Sequence, residues 1–189
     1  MKLPSSYYLD EDVVFIAKDL LGKLFLTNIE GALTGGIFTE TEAYKGMEDR
    51  ACHAFGGRRT KRNDALYEEG GISYVYLCYG LHYLFNIVTN SKDTPHAVLI
   101  RAIKPVIGID TMIKRRKREK DLTAGPGSLS QALGINLSHN KLSLVGDKIW
   151  IEEGEKPAEI LATPRIGVEY AKEDALLPYR FVVSSNKAI

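Results

Sequence analysis

Two acids one residue apart, Glu40 and Glu42, stand in the stretch FTETEAYKGMEDRACHAFGGRRTKRN (residues 38–63), with Tyr44, His53 and a basic loop close behind. In an extended strand alternate side chains share a face, so Phe38, Glu40, Glu42 and Tyr44 are expected on one side and Ile37, Thr39, Thr41 and Ala43 on the other. Same-face neighbours lie about 6.6 Å apart at Cα, and two carboxylates that close repel unless cations or protons compensate them. Such a pair suits general acid–base chemistry, or an acidic edge strand that discourages sheet pairing. The neighbouring rings favour chemistry. Tyr44, His53 and the tyrosines of YVYLCYG would wall an aromatic pocket with a carboxylate at its end.

The loop after His53 opens with two glycines and carries Arg58, Arg59, Lys61 and Arg62. Side chains of that kind cannot all enter a core, so they are expected to project outward and invite an anion such as phosphate. A second basic run, Lys114 to Lys120, reads as the solvated face of a helix whose Ile109, Met112 and Ile113 turn inward. In the strand of GGISYVYLCYGLHYLFNIVTN, Tyr74, Tyr76 and Cys78 share a face, while Ser73, Val75, Leu77 and Tyr79 share the other. Alternating aromatics usually pack in a core or across strands. Tyr79 precedes Gly80 at a hairpin tip, however, and an exposed rigid ring beside basic loops suits insertion between nucleic-acid bases.

These residues need a scaffold, and 189 residues at 44% hydrophobic and 26% charged can build one compact domain spanning 1–189. Its apolar runs are too short to cross a bilayer, and its amino terminus lacks the apolar core of a secretory signal. Cys52 and Cys78 fall in no zinc spacing, so both are read as reduced thiols of a cytoplasmic protein without a structural metal. Asp10 or Asp12 can cap a helix that ends near Gly22. Strands are expected at 23–28, 36–44, 72–79, 83–90, 97–104, 148–153, 158–161, 166–170 and 179–183, with helices at 108–120 and between a Ser128 cap and Gly134. The fold class that follows is α+β: a single domain with a curved, mostly antiparallel sheet and flanking helices. The GPGS turn before the last helix offers free backbone N–H groups to an anion, but no GK[ST] follows and nucleotide hydrolysis is not expected.

ETEAY, EDRACHAFGGRRTKRN, YVYLCYGLHYLFNI, VLIRAIKP, GPGSLSQALGI and a late RIGV, in this order and spacing, resemble the alkyladenine (3-methyladenine) DNA glycosylases across nearly the whole chain. Met47 and Lys61 depart from the family, which commonly has proline at each place. The resemblance implies a monomeric, cofactor-free, monofunctional base-excision repair enzyme. Its substrate would be double-stranded DNA containing damaged purines, flipped out of the helix before hydrolysis of the N-glycosidic bond. Glu42 would be the general base that activates water and Arg101 would help hold that water and carboxylate. Tyr44, His53 and Tyr76 would sandwich the flipped purine, and Asn86 at the pocket floor would obstruct the 2-amino group of guanine. Tyr79 would fill the gap left in the duplex, and Arg58, Thr60 and Arg62 would contact DNA. Glu40 would support the site by hydrogen bonds or simply face solvent, and Lys45 would take no part as an amine nucleophile.

Two other classes fit parts of the sequence. A carbohydrate glycosidase would also use Glu40 and Glu42, whose spacing falls near the inverting range of about 6.5–9.5 Å. A non-catalytic nucleic-acid-binding module would explain the basic loop and the rings, yet leave Glu42 and Arg101 without a purpose.

Overall fold

Asp12 begins the first helix, α1 (Val13–Asp19), by accepting the N–H groups of Val14 and Phe15 on its carboxylate, which satisfies two donors that a helix start leaves open. The computed structural model describes residues 1–184; the last five of the expected 1–189 domain lie outside the described residues. Strands β1 (Leu24–Ile29) and β2 (Ala32–Tyr44) follow, then β3 (Ser73–Cys78), β4 (His82–Thr89) and β5 (His96–Ile107). Helices α2 (Ile109–Arg116) and α3 (Pro126–Leu133) come next, and β6 (Ile149–Glu152), β7 (Ile160–Thr163) and β8 (Arg180–Val183) complete the chain. The fold is α+β. Its unclosed sheet runs β3-β4-β5-β2-β1-β6, with β8 also paired to β2 and β7, and the named pairings are antiparallel.

β2 organises the sheet because it outlasts its neighbour. β1 pairs with it only as far as Ile37, and beyond that point β8 takes the vacated edge at Glu40, Thr41 and Glu42. On the other edge β5 pairs with β2 from Gly35 to Tyr44, with irregular register at Gly35–Gly36 and between Phe38 and Thr41. An extra residue there shifts the side-chain parity. Phe38 therefore does not share a face with Glu42, as strict alternation predicts, but lies in the core with Ala43. Thr41, also on that side, donates its hydroxyl to the Ala17 carbonyl at the end of α1.

One face of the sheet carries the main core. Phe25, Phe38 and Phe85 stack at its centre, with Ile16 and Ala17 of α1, Met112 of α2 and Leu129 and Leu133 of α3 buried against them. The opposite face carries a smaller cluster, in which Cys52, Ala54, Leu66 and Tyr67 of the irregular segment after β2 cover Tyr74, Val88 and Ala97. The candidate functional side chains lie on this second face.

Several expectations from the sequence need correction. Residues 166–170 form no strand; they are a loop and the start of a 3-10 segment, with Gly167 at φ 73° and Pro164 upstream. Ser128 does not cap α3, which starts at Pro126 with Gly125 in the cap position, because proline's missing N–H costs nothing at a first helical turn. α2 stops at Arg116, where Lys117 takes a left-handed conformation, and Ile109 is 43% exposed rather than turned inward. Nor is the basic run merely solvated. Arg115 donates to the Ile29 and Ala132 carbonyls, and Arg116 donates to Gln131, tying α2 to the β1–β2 turn and to α3.

Candidate active site

Alternation along β3, β4 and β5 sends Tyr76, Asn86, Leu99 and Arg101 to the second face, where with Tyr44 they line a cavity of about 840 Å³. His53, the β3–β4 turn, residues 125–128 and residues 166–168 form its rim and far walls. That volume lies within the range of small-molecule sites, about 300–1,000 Å³.

Glu42 lies fully buried behind this cavity. Its Oε2 accepts the Tyr44 hydroxyl at 2.9 Å and its Oε1 accepts the Ile166 N–H at 2.9 Å, while Arg101 Nη1 stands 3.5 Å from Oε1. All three of those partners line the cavity, so the carboxylate is one side chain away from anything bound there. Tyr44 keeps its proton, since burial first and the Glu42 charge second push its hydroxyl pKa well above the ordinary value. It therefore donates to the carboxylate rather than competing with it. Of a carboxylate's roughly four acceptor positions, the Tyr44 and Ile166 hydrogen bonds take up two.

The rings gather as the sequence suggests. His53 meets Tyr76 edge-on with centroids 4.8 Å apart, and its Nδ1 shares a 2.9 Å hydrogen bond with the Tyr74 hydroxyl. Burial, then the charges of Arg62 and Arg58, lower the His53 pKa from its ordinary 6.5, so the imidazole is neutral at neutral pH. Asn86 donates from Nδ2 to the Tyr74 carbonyl at 3.1 Å and contributes to the cavity wall.

Tyr79 projects from the tip between β3 and β4, 92% exposed. It and Gly80 both have positive φ, 50° and 71°, the pattern of a tight hairpin turn that favours Asn-Gly. A tyrosine held there is strained by on the order of 1–3 kcal/mol. The basic loop divides in two. Arg58 and Thr60 line a second cavity of about 400 Å³ that shares Arg62 and His53 with the first. Arg59, expected to be free for an anion, is instead paired with Asp64 and Asp93 and laid over the Tyr67 ring. Asn63 pins the loop by donating to the carbonyls of His53 and Arg58 and accepting from Thr60.

The methylpurine-DNA glycosylase family model matches residues 7–187. The chain belongs to that family. It is 50% identical to a Chlamydia felis protein provisionally named a 3-methyladenine DNA glycosylase, over 98% of each chain. Proteins with the same name from Clostridium acetobutylicum, 40% identical over 100% of this chain and 97% of the relative, and Bacillus cereus, 41% identical over 96% and 95%, are similar to it along their whole length. This methylpurine-DNA glycosylase is thus a hydrolase that acts on DNA, and the carbohydrate-glycosidase and non-catalytic readings fall away. No helix among its described residues is long and apolar enough to cross a membrane.

Three residues of the site escape sequence reasoning. Arg165 of the RIGV motif is buried in a two-pronged pair with Asp49, 2.5 and 2.8 Å, and donates to the Ala43 and Asp174 carbonyls. Its guanidinium lies 4.8 Å from the Tyr44 ring centre and 5.4 Å from that of Tyr179, so it backs the ring whose hydroxyl holds Glu42. Tyr170, 65% exposed at the rim of both cavities, donates its hydroxyl to the Ala51 carbonyl. The one available signal was an arginine in the otherwise apolar run TPRIGV, which needs an acid if buried.

Proposed function

We propose that this glycosylase flips alkylated or deaminated purines out of duplex DNA and hydrolyses the N-glycosidic bond with a water activated by Glu42. The observation that carries the reading is a fully buried carboxylate whose three partners all face an aromatic cavity. As the base leaves, positive charge develops at the sugar; a carboxylate beside it stabilises that charge and takes a proton from the attacking water. Tyr44, His53 and Tyr76 supply π faces for the extruded base. Cationic purines such as 3-methyladenine, the substrate named for the relatives, or 7-methylguanine gain most from those faces. Hypoxanthine and ethenoadenine are neutral and would rely on pocket shape, with Asn86 on the floor excluding guanine. Extrusion costs a few kcal/mol of stacking and pairing, which Tyr79 offsets by occupying the gap while Arg58, Thr60 and Arg62 hold the backbone. The enzyme works as a monomer with no amine nucleophile: Lys45 is engaged with Glu48 at 3.3 Å beyond the end of β2.

Base release from duplexes carrying different single lesions tests the substrate class. Glu42→Gln should bind those duplexes normally while excision falls by roughly 10²–10⁴; near-native turnover would sink the assignment. Borohydride should trap no covalent protein–DNA adduct, since a Schiff base requires an attacking amine.

A further inference from the structure

Glu40 has no part in the reaction just described, yet its surroundings are more exacting than a surface acid needs. Its Oε1 accepts from two guanidinium groups at once, Arg101 Nε at 2.7 Å and Arg180 Nε at 2.6 Å. The three side chains are only 13–22% exposed. Arg180 is fixed in turn by a 3.0 Å bond from Nη1 to Thr163 Oγ1, and it reaches Glu40 because β8 occupies the edge of β2 that β1 leaves free. Arg101 meets Glu42 more loosely, at 3.5 Å, long for a charge-assisted bond, which runs about 2.7–2.9 Å.

We propose that Glu40, backed by Arg180, is a positioning residue that holds the Arg101 guanidinium off Glu42 and so leaves the Glu42 carboxylate free to accept a proton. The inference rests on Glu42 being the general base. A guanidinium with no competing acid closes on the nearest carboxylate, often with two parallel bonds. A carboxylate gripped by two short charge-assisted bonds is a weaker base than one met singly at 3.5 Å, because its lone pairs are taken and the opposite charge is nearer. Glu40 supplies the competition. The groups facing Glu42 are the Tyr44 hydroxyl from β2, Arg101 from β5, and the Ile166 N–H and Arg165 from the 164–168 loop. Of these charges Arg165 is committed to Asp49, so Arg101 is the one whose position sets the basicity of Glu42.

Single-turnover excision from methylated duplex DNA, followed across pH, tests this directly. Glu40→Gln should lower the rate by roughly 10- to 100-fold, with affinity for the same DNA within about twofold and the acid limb of the profile moved to lower pH. Glu40→Asp keeps the charge but falls one methylene short, so it should also lose rate; a merely electrostatic role would leave it native. A native rate in either variant, or a loss lying wholly in DNA affinity with the acid limb unmoved, overturns the proposal. If Glu40→Gln does not fold, Arg180→Gln is the readable substitute: a smaller loss in the same direction supports the proposal, and a native rate overturns it. Glu42→Gln run alongside separates the two ideas. If it excises normally the general-base reading itself fails, whereas an inactive Glu42→Gln beside native Glu40 variants removes only the positioning role.

Discussion

Tyr79 sets function against stability within one residue. Its exposed ring is the proposed wedge, and its backbone sits where a side chain of that size is strained. Tyr79→Asn removes the ring and installs a residue that tolerates positive φ. It should therefore raise the unfolding midpoint slightly while weakening lesion-specific DNA binding by on the order of 1–3 kcal/mol. Binding to undamaged duplex should barely change, because an intact stack offers the ring no gap. Arg58→Ala should behave differently in kind, weakening both duplexes and flattening the salt dependence by about one unit of logarithmic slope. Titrations with lesion and undamaged DNA across a salt series check both; equal losses for Tyr79→Asn on the two duplexes would make the ring mere packing. At this scale the sequence was informative where a side chain's type announces its chemistry: the acids, the rings and the exposed arginines were all legible. Partnerships were not. Arg165 and Asp49 are 116 positions apart, and no local pattern pairs them.

Among the elements, period-two alternation put Tyr74, Tyr76 and Cys78 of β3 on one face, and all three line the cavity, whereas Asn86 of β4 and Arg101 of β5 were reached only through the family resemblance. Alternation failed on β2, where the irregular pairing between Phe38 and Thr41 moves Phe38 to the core face. The branch of the sheet from β1 to β8 was equally hidden, since pairing partners follow from three-dimensional register rather than composition. Residues 166–170 read as strand, yet the 164–168 backbone is spent on the site: the Ile166 N–H goes to Glu42, and Arg165 anchors the turn. Removing that anchor should be severe. Arg165→Met leaves Asp49 as a buried carboxylate without its countercharge, and breaking one partner of such a pair costs about 3–5 kcal/mol. Urea denaturation should show the midpoint falling accordingly, with Asp49→Asn in the same chain recovering much of the loss, since the amide removes the charge yet keeps an acceptor for the Lys45 and Ala51 N–H groups. Recovery of stability without recovery of excision would locate the arginine's second duty behind the Tyr44 ring.

For the molecule as a whole, acid is the condition that should unfold it first. His53, His96 and His139 all have pKa values lowered from 6.5, in each case chiefly by burial. The unfolded chain therefore binds protons at these positions more readily than the native one. Stability is full above the ordinary histidine range and declines as pH falls below about 6.5 toward the lowered native values. Thermal melts at pH 8, 7, 6 and 5 should show this decline, and His96→Gln should make it shallower; a melting temperature flat through that interval would contradict the assignment. The sheet's branch at β2 has a different kind of consequence. The Glu42 carboxylate is held from Ile166, and the Arg101 clamp is closed by Arg180, contacts that span 124 and 140 positions of sequence. During synthesis the acid emerges from the ribosome long before the groups that make it competent, and contacts so distant close late in folding. A nascent or prematurely terminated polypeptide stopping short of residue 180 thus carries the wedge, the rings and the carboxylate but not the assembled clamp. Under the proposed mechanism this would be a safeguard for an enzyme that acts on DNA: an unfinished copy would be inert rather than indiscriminate.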